Sequence, residues 1–306
     1  MSRAGLWRGA VYGITAATIW GGMYVVSDVT LPVVPPFTLL ALRILLGLAV
    51  LVPIERARGF APPDGRTKLS LLSVGALGLG LSLGTQFVGT DLSTAVNGAI
   101  VTGASPAFVV LFALILLNEK LTFRRLASVG LATAGVLVIV DPTAADFGSD
   151  TFVGDAFLAV SALTWGLYSV LVRRVTIRHS LPSLTVTVYA LFGGLLLSIP
   201  ASLVELSQRP IGAVDTGIVL AVLYLGLAST AFGLLLWNRA FSLLPAMLAS
   251  LCFFAQPLAG AILATSILGQ EMTINLWLGG GLIIAALLLS LARLPGVEAP
   301  SQKAGP

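Results

Sequence analysis

Cysteine and histidine each occur once in the 306 residues, as Cys252 and His179, and only 10% of the chain is charged. One thiol and one imidazole cannot build a disulfide framework, fill a tetrahedral zinc site or ligate haem or an iron–sulfur cluster, so no cofactor or metal is expected. The scarcity of charge excludes more. A soluble domain carries about 25% charged residues, whereas here 57% of residues are hydrophobic and the mean hydropathy is +1.00. Apolar surface in that excess is covered only by lipid. Soluble enzymes, nucleic-acid binders and disordered scaffolds are therefore excluded together. The net charge of +4 does not restore nucleic acid as a partner, because Lys and Arg in a membrane protein report which loops face the cytoplasm.

What is there is a series of apolar runs. At roughly 20 apolar residues per span, they predict ten helices at 9–26, 37–54, 69–90, 94–117, 123–140, 153–172, 183–204, 216–238, 246–268 and 273–292. Arg3 and Arg8 precede the first run, which lacks a small-residue cleavage site and reads as a retained helix. With the N-terminus inside, fifteen of the 17 basic residues fall on cytoplasmic segments; Arg209 alone falls outside, and Arg43 lies within the second span. That bias places both termini in the cytoplasm. The loop between spans five and six carries Asp141, Asp146, Asp150 and Asp155 without a basic residue.

The chain also matches itself. Trp20-Gly21 with Tyr24 reads against Trp165-Gly166 with Tyr168, Ser105-Pro106 against Gln256-Pro257, Asn118-Glu119-Lys120-Leu121-Thr122 against Gln270-Glu271-Met272-Thr273, and Gly130 against Gly281. Two repeats follow, 1–145 and 146–293, with a cytoplasmic tail at 294–306. Five spans per repeat is an odd number, so the second repeat enters the membrane inverted, an arrangement that supports alternating access in transporters.

The Trp-Gly pairs, the mid-span prolines and the Leu117–Thr122 turn resemble the EamA-type branch of the drug/metabolite transporter superfamily. The resemblance covers residues 10 to 292, and the pattern is most similar to bacterial amino-acid exporters, the aromatic amino-acid exporters of the YddG type among them. It implies a central cavity lined by spans three, four, eight and nine, gates lent by one and six, and spans five and ten at the edge.

Pro106 and Pro257, read as lying inside spans four and nine, each remove a helical hydrogen bond and are expected to kink their helices. Irregular backbone at that depth is tolerated where it lines a cavity. Ser105, Gln256 and Thr102 beside them are candidate polar liners, although Ser and Thr also bond their own backbone. Gln86 in span three is a candidate because its amide is costly against lipid. Trp237, its counterpart in span eight, is either a liner or an interfacial anchor. Trp20 with Tyr24 and Trp165 with Tyr168 put aromatic pairs on one face of spans one and six, for the cavity or for packing between repeats.

No Asp or Glu occupies the middle of a predicted span, so the usual proton relay or cation site is missing. Arg43 either pairs with a substrate carboxylate, snorkels to the outer surface or bonds to helix ends, the last two being favoured. One such cation is too few for phosphate carriage. Gly80-Leu81-Ser82-Leu83-Gly84 matches a hydrolase nucleophile motif, but without a preceding strand or nearby base it reads as a small-residue helix face. The sequence thus predicts an all-α, multi-pass protein of the bacterial inner membrane with no catalytic residues. It is expected to act as a monomer in the lipid bilayer, exporting small amphiphilic metabolites, hydrophobic or aromatic amino acids foremost. Transport would run as facilitated diffusion or be proton-coupled through Asp28 or Asp91. A cationic-drug exporter is the nearest alternative, and an intramembrane enzyme is disfavoured for want of a base or metal.

Overall fold

The computed structural model describes residues 3–93, 98, 101–140, 151–268 and 274–291. The acidic 141–150 stretch, the 270–273 turn, the 294–306 tail and the side chains of Tyr24 and Asp28 lie outside the described residues. Every regular element among them is helical. Lipid offers the backbone no hydrogen-bond partner, and a helix satisfies its own N–H and C=O groups.

In chain order the helices are α1 (Arg3–Thr30), α2 (Pro36–Ala57), α3 (Gly65–Leu92), α4 (Ser105–Leu117) and α5 (Phe123–Val140). They are followed by α6 (Phe152–Arg178), α7 (Ser183–Gln208), α8 (Thr216–Leu243), α9 (246–268) and α10 (Ile274–Leu291). Six of them, α1, α2, α3, α6, α7 and α8, contain stretches long and apolar enough to cross a membrane; shorter apolar segments lie in α4, α9 and α10. Their outward faces carry exposed Leu69, Ile115, Phe123, Leu203 and Trp277, an apolar surface suited to lipid and not to water. The chain is a multi-pass membrane protein.

Helix starts are set by local chemistry. Asp64 caps α3 by accepting from the Thr67 N–H at 2.9 Å, and Asp215 caps α8 by accepting from the Ile218 N–H at 2.8 Å. Glu205 on α7 caps α2 from a distance, accepting from the N–H groups of Phe37 and Thr38. At the end of α4, Asn118 takes the left-handed conformation (φ 53°), which Asn tolerates better than most residues. The next residue, Glu119, accepts from the N–H groups of Ala246 and Met247 at the start of α9 and pairs with Arg173 of α6 at 3.5 Å.

Packing is reciprocal between the halves. α1 packs on α8 and α9, and α6 packs on α3 and α4; α2 faces α7, and α5 faces α10. The Trp-Gly pairs explain the first two contacts. A Cβ on Gly21 would meet the Gln256 carbonyl oxygen at 2.8 Å, and one on Gly166 would meet the Phe108 Cβ at 2.6 Å. Only glycine lets those backbones approach so closely. Gly80 and Gly84 likewise lie against Leu197 and Phe37.

One expectation needs correction. The prolines do not stand inside unbroken α-helices. A helical turn ends at Thr102, residues 103–104 form a turn, and Ser105 and Pro106 are the first residues of α4. In α9 a 3-10 turn, Cys252–Phe254, separates Ala246–Leu251 from Ala255–Leu268, so Pro257 stands third in the new segment. In a first turn the missing N–H has no intrahelical acceptor to lose, and the regular α-helical hydrogen bonding is interrupted just before each proline. In addition, α3 and α8 each contain a π-helical stretch, Ala76–Ser82 and Tyr224–Gly233. Wide turns of this kind are frequent at functional sites.

Candidate functional site

Residues beside the two breaks, in the π stretch of α3 and directly after that of α8 line one cavity. Its lining is drawn from both halves: Trp20 and Met23 of α1, Arg43 of α2, Ser82 and Gln86 of α3, Thr102 and Ser105 at the first break, Ser161 and Trp165 of α6, and Phe253 and Gln256 at the second break, with Leu83 and Leu234 between them. Mostly apolar walls with a few converging polar groups are the chemistry of a small-molecule site.

One wall is aromatic. Trp20 stands edge-on to Trp165 with centroids 5.4 Å apart, and Trp237 lies 5.2 Å from Trp20 and 6.2 Å from Trp165. Phe253 and Phe241 extend the group at 5.8 and 4.8 Å from Trp237. Each such pair adds about 0.5–1.5 kcal/mol beyond burial.

The polar groups divide into spent and unspent. The Trp20 indole N–H donates to the Ser229 carbonyl in the π stretch of α8 at 2.9 Å. The Gln256 amide donates to the Trp20 carbonyl at 3.4 Å; among the described residues its Oε1 has no partner, and the Trp165 Nε1–H has none either. Both groups are buried, at 4% and 6% exposure, where an unmet donor or acceptor costs about 1–3 kcal/mol.

Of the residues singled out from sequence, Trp20, Gln86, Thr102, Ser105, Trp165 and Gln256 line this cavity together. Tyr168 and Trp237 stand one layer behind. The Tyr168 hydroxyl donates to Asn238 at 3.3 Å, Asn238 donates to Thr187, and the Trp237 N–H donates to Ser169 at 3.2 Å. Trp237 is 1% exposed and is therefore no interfacial anchor. The side chain of Tyr24 lies outside the described residues.

Arg43 is the largest departure from expectation, because it does not snorkel. It is 1% exposed, donates to Thr230 Oγ1 at 2.6 Å and Ser229 Oγ at 2.9 Å, and lies 5.3 Å over the Phe87 ring. The paired hydroxyls of the α8 π stretch hold it inside, and no sequence signal other than the adjacent Ser229-Thr230 foreshadows that. Ser82, from the hydrolase-like motif, donates to the Ser161 carbonyl at 2.9 Å, which ties it to helix packing. Asp91, considered for proton coupling, is bound to Arg209 at 2.6 Å away from the cavity.

A bundle of lipid-facing helices around a small cavity fed by both halves of the chain defines a membrane transporter. The chain belongs to the EamA-like transporter family, whose profile matches it twice, over residues 7–141 and 152–292. It is 29% identical over 277 residues to an uncharacterized transporter of Archaeoglobus fulgidus, covering 90% of this chain and 94% of that one. It is 27% identical over 260 residues to the aromatic amino acid exporter YddG of Ancylobacter novellus, covering 82% and 85%. A crystal structure with 22% sequence identity shares the fold at a TM-score of 0.78, over 92% of this chain and 97% of that one. Family and relatives are transporters and not enzymes.

Proposed function

We propose that the protein exports small amphiphilic metabolites, hydrophobic or aromatic amino acids in particular, by alternating access between two inverted five-helix repeats, 1–145 and 146–293, in the bacterial inner membrane. The observation that carries this reading is the cavity itself: a tryptophan wall beside an unspent indole donor and an unspent amide acceptor. An amino acid has an apolar side chain for the wall and both donor and acceptor groups for the polar atoms. The reciprocal packing, α1 on α8 and α9 and α6 on α3 and α4, and the double family match support the repeats, because each half supplies the same parts to the other. Export follows from the likeness to an aromatic amino acid exporter.

A buried guanidinium in the lining speaks against the cationic-drug reading, since like charge repels. The described lining contains no carboxylate, which favours facilitated diffusion over proton antiport.

The test is uptake into proteoliposomes of the purified protein across a panel of amino acids and organic cations, with and without an imposed pH gradient. Amino-acid flux indifferent to the gradient is expected. Flux of cations alone would overturn the substrate assignment, and flux that requires the gradient would overturn the uncoupled mechanism.

A further inference from the structure

Arg43 is a full positive charge held in the cavity lining with no carboxylate partner among the described residues; its bonds go to two hydroxyls and, at 3.5 Å, the sulfur of Met23. Burying an ion away from water costs several kcal/mol unless a counter-charge meets it. The described ion pairs, Arg173 with Glu119 and Arg209 with Asp91, lie elsewhere and leave it uncompensated. Hydroxyls orient a guanidinium without neutralising it. With five N–H donors in a rigid fork, Arg43 keeps donors beyond those bound to Ser229, Thr230 and Met23.

We infer that Arg43 is the binding site for the carboxylate of the substrate. The assignment rests on the transporter reading above and narrows it to monocarboxylates, α-amino acids first. Planar bidentate pairing is what a guanidinium offers a carboxylate. A phosphate dianion would leave charge unmatched by this single cation. The Gln256 Oε1, an acceptor without a donor, receives an N–H of the substrate's ammonium, and the tryptophan wall receives its side chain. Serine and threonine at 229 and 230 act as positioning residues, holding the fork towards the cavity instead of towards lipid.

The test is counterflow of labelled L-phenylalanine in wild-type proteoliposomes, with unlabelled L-phenylalanine, L-phenylalaninamide and 3-phenylpropionate as competitors. L-phenylalaninamide, which lacks the carboxylate, is expected to need at least tenfold higher concentration for half-inhibition than L-phenylalanine; 3-phenylpropionate, which keeps it, loses less. In Arg43→Gln the discrimination between acid and amide is expected to disappear. The wild-type series needs no folded variant, so it stands if that substitution disrupts the protein. Equal competition by amide and acid while L-phenylalanine flux persists would overturn the Arg43 assignment and leave the transporter reading intact. Absence of L-phenylalanine, leucine and tryptophan flux in the wild type would remove that reading, and the assignment with it.

Discussion

Trp165 and Gln256 carry cavity-lining polar atoms that no described residue satisfies, so their removal tests the cavity more sharply than truncating a wall residue. Trp165→Phe deletes the donor and keeps most of the ring; Gln256→Leu deletes the acceptor at similar volume. Each is expected to lower transport by roughly tenfold, the equivalent of one substrate hydrogen bond at about 1–3 kcal/mol, without lowering the melting temperature in detergent. Reduced transport that merely tracks lost stability would contradict this. At the water-exposed end of α3, the Thr67 backbone N–H and hydroxyl hold the Asp64 carboxyl below its usual range. A depressed carboxylate pKa contributes stability above the unfolded value and loses it as pH falls through the folded one. The melting-temperature gap between wild type and Asp64→Ala is therefore expected to narrow as pH is lowered from about 6 to about 3, across the ordinary carboxylate range. Single residues were partly legible in sequence: an amide or indole deep in an apolar run must find a partner or a cavity, which singled out Gln86, Trp165 and Gln256. Arg43 was not, because whether a cation near a helix end reaches solvent or turns inward depends on what the neighbouring helix offers, here two hydroxyls of α8.

Helices meet where side chains are absent, and the elements most sensitive to change follow from that. Gly21→Val and Gly166→Val push bulk into the α9 and α4 backbones, and both are expected to destroy the monodisperse peak on size exclusion. Gly130→Ala in α5 is the contrast: its added Cβ would have no neighbour within 4 Å, so it should be neutral or stabilise by up to about 1 kcal/mol through helix propensity. A stable, active Gly166→Val protein would show that α4 and α6 do not need this approach. The positions of most helices could be read from hydropathy, since an apolar run in lipid has no alternative to the helix. The broken α4 and α9 and the π stretches could not. Proline marks both an interior kink and a first turn, and the choice was made by the turn at 103–104 and the 3-10 segment at Cys252–Phe254. Asp64 and Asp215, each starting its π-containing helix, are a further correspondence between the halves that the pattern of tryptophans and prolines does not reveal.

For the whole molecule, orientation and access are the measurable quantities. From the positive-inside bias the 58–64 loop is expected in the cytoplasm and the 209–215 loop outside. Ala61 and Ala213 are both exposed, and the native Cys252 is buried, so single cysteines at these sites can be labelled over a quiet background. A membrane-impermeant maleimide on intact cells is expected to label Ala213→Cys and to reach Ala61→Cys only after permeabilisation; the reverse pattern would invert the topology. The two latches bear on access. Glu119 ties α9 to α6 at the loop after α4, and Arg209 ties α3 to the Leu31 carbonyl beside α1. The positive-inside arrangement assigns these to opposite faces of the membrane. On the alternating-access proposal, one opens while the other holds. Glu119→Gln weakens the first, and it is expected to speed counterflow or lower thermal stability by about 1–3 kcal/mol, the range for charge-assisted bonds.

The chain has five tryptophans. Trp7 and Trp277 are largely exposed on the outer surface, while Trp20 and Trp165 at the cavity and Trp237 behind them lie within about 6 Å of one another. Indoles that close exchange excitation, so the near-ultraviolet circular dichroism of this protein will be dominated by one chiral chromophore built from both halves. A substrate that slides between Trp20 and Trp165, or a rotation of one half against the other, changes that signal directly. The transporter thus carries its own optical reporter of occupancy and conformation, readable without a label.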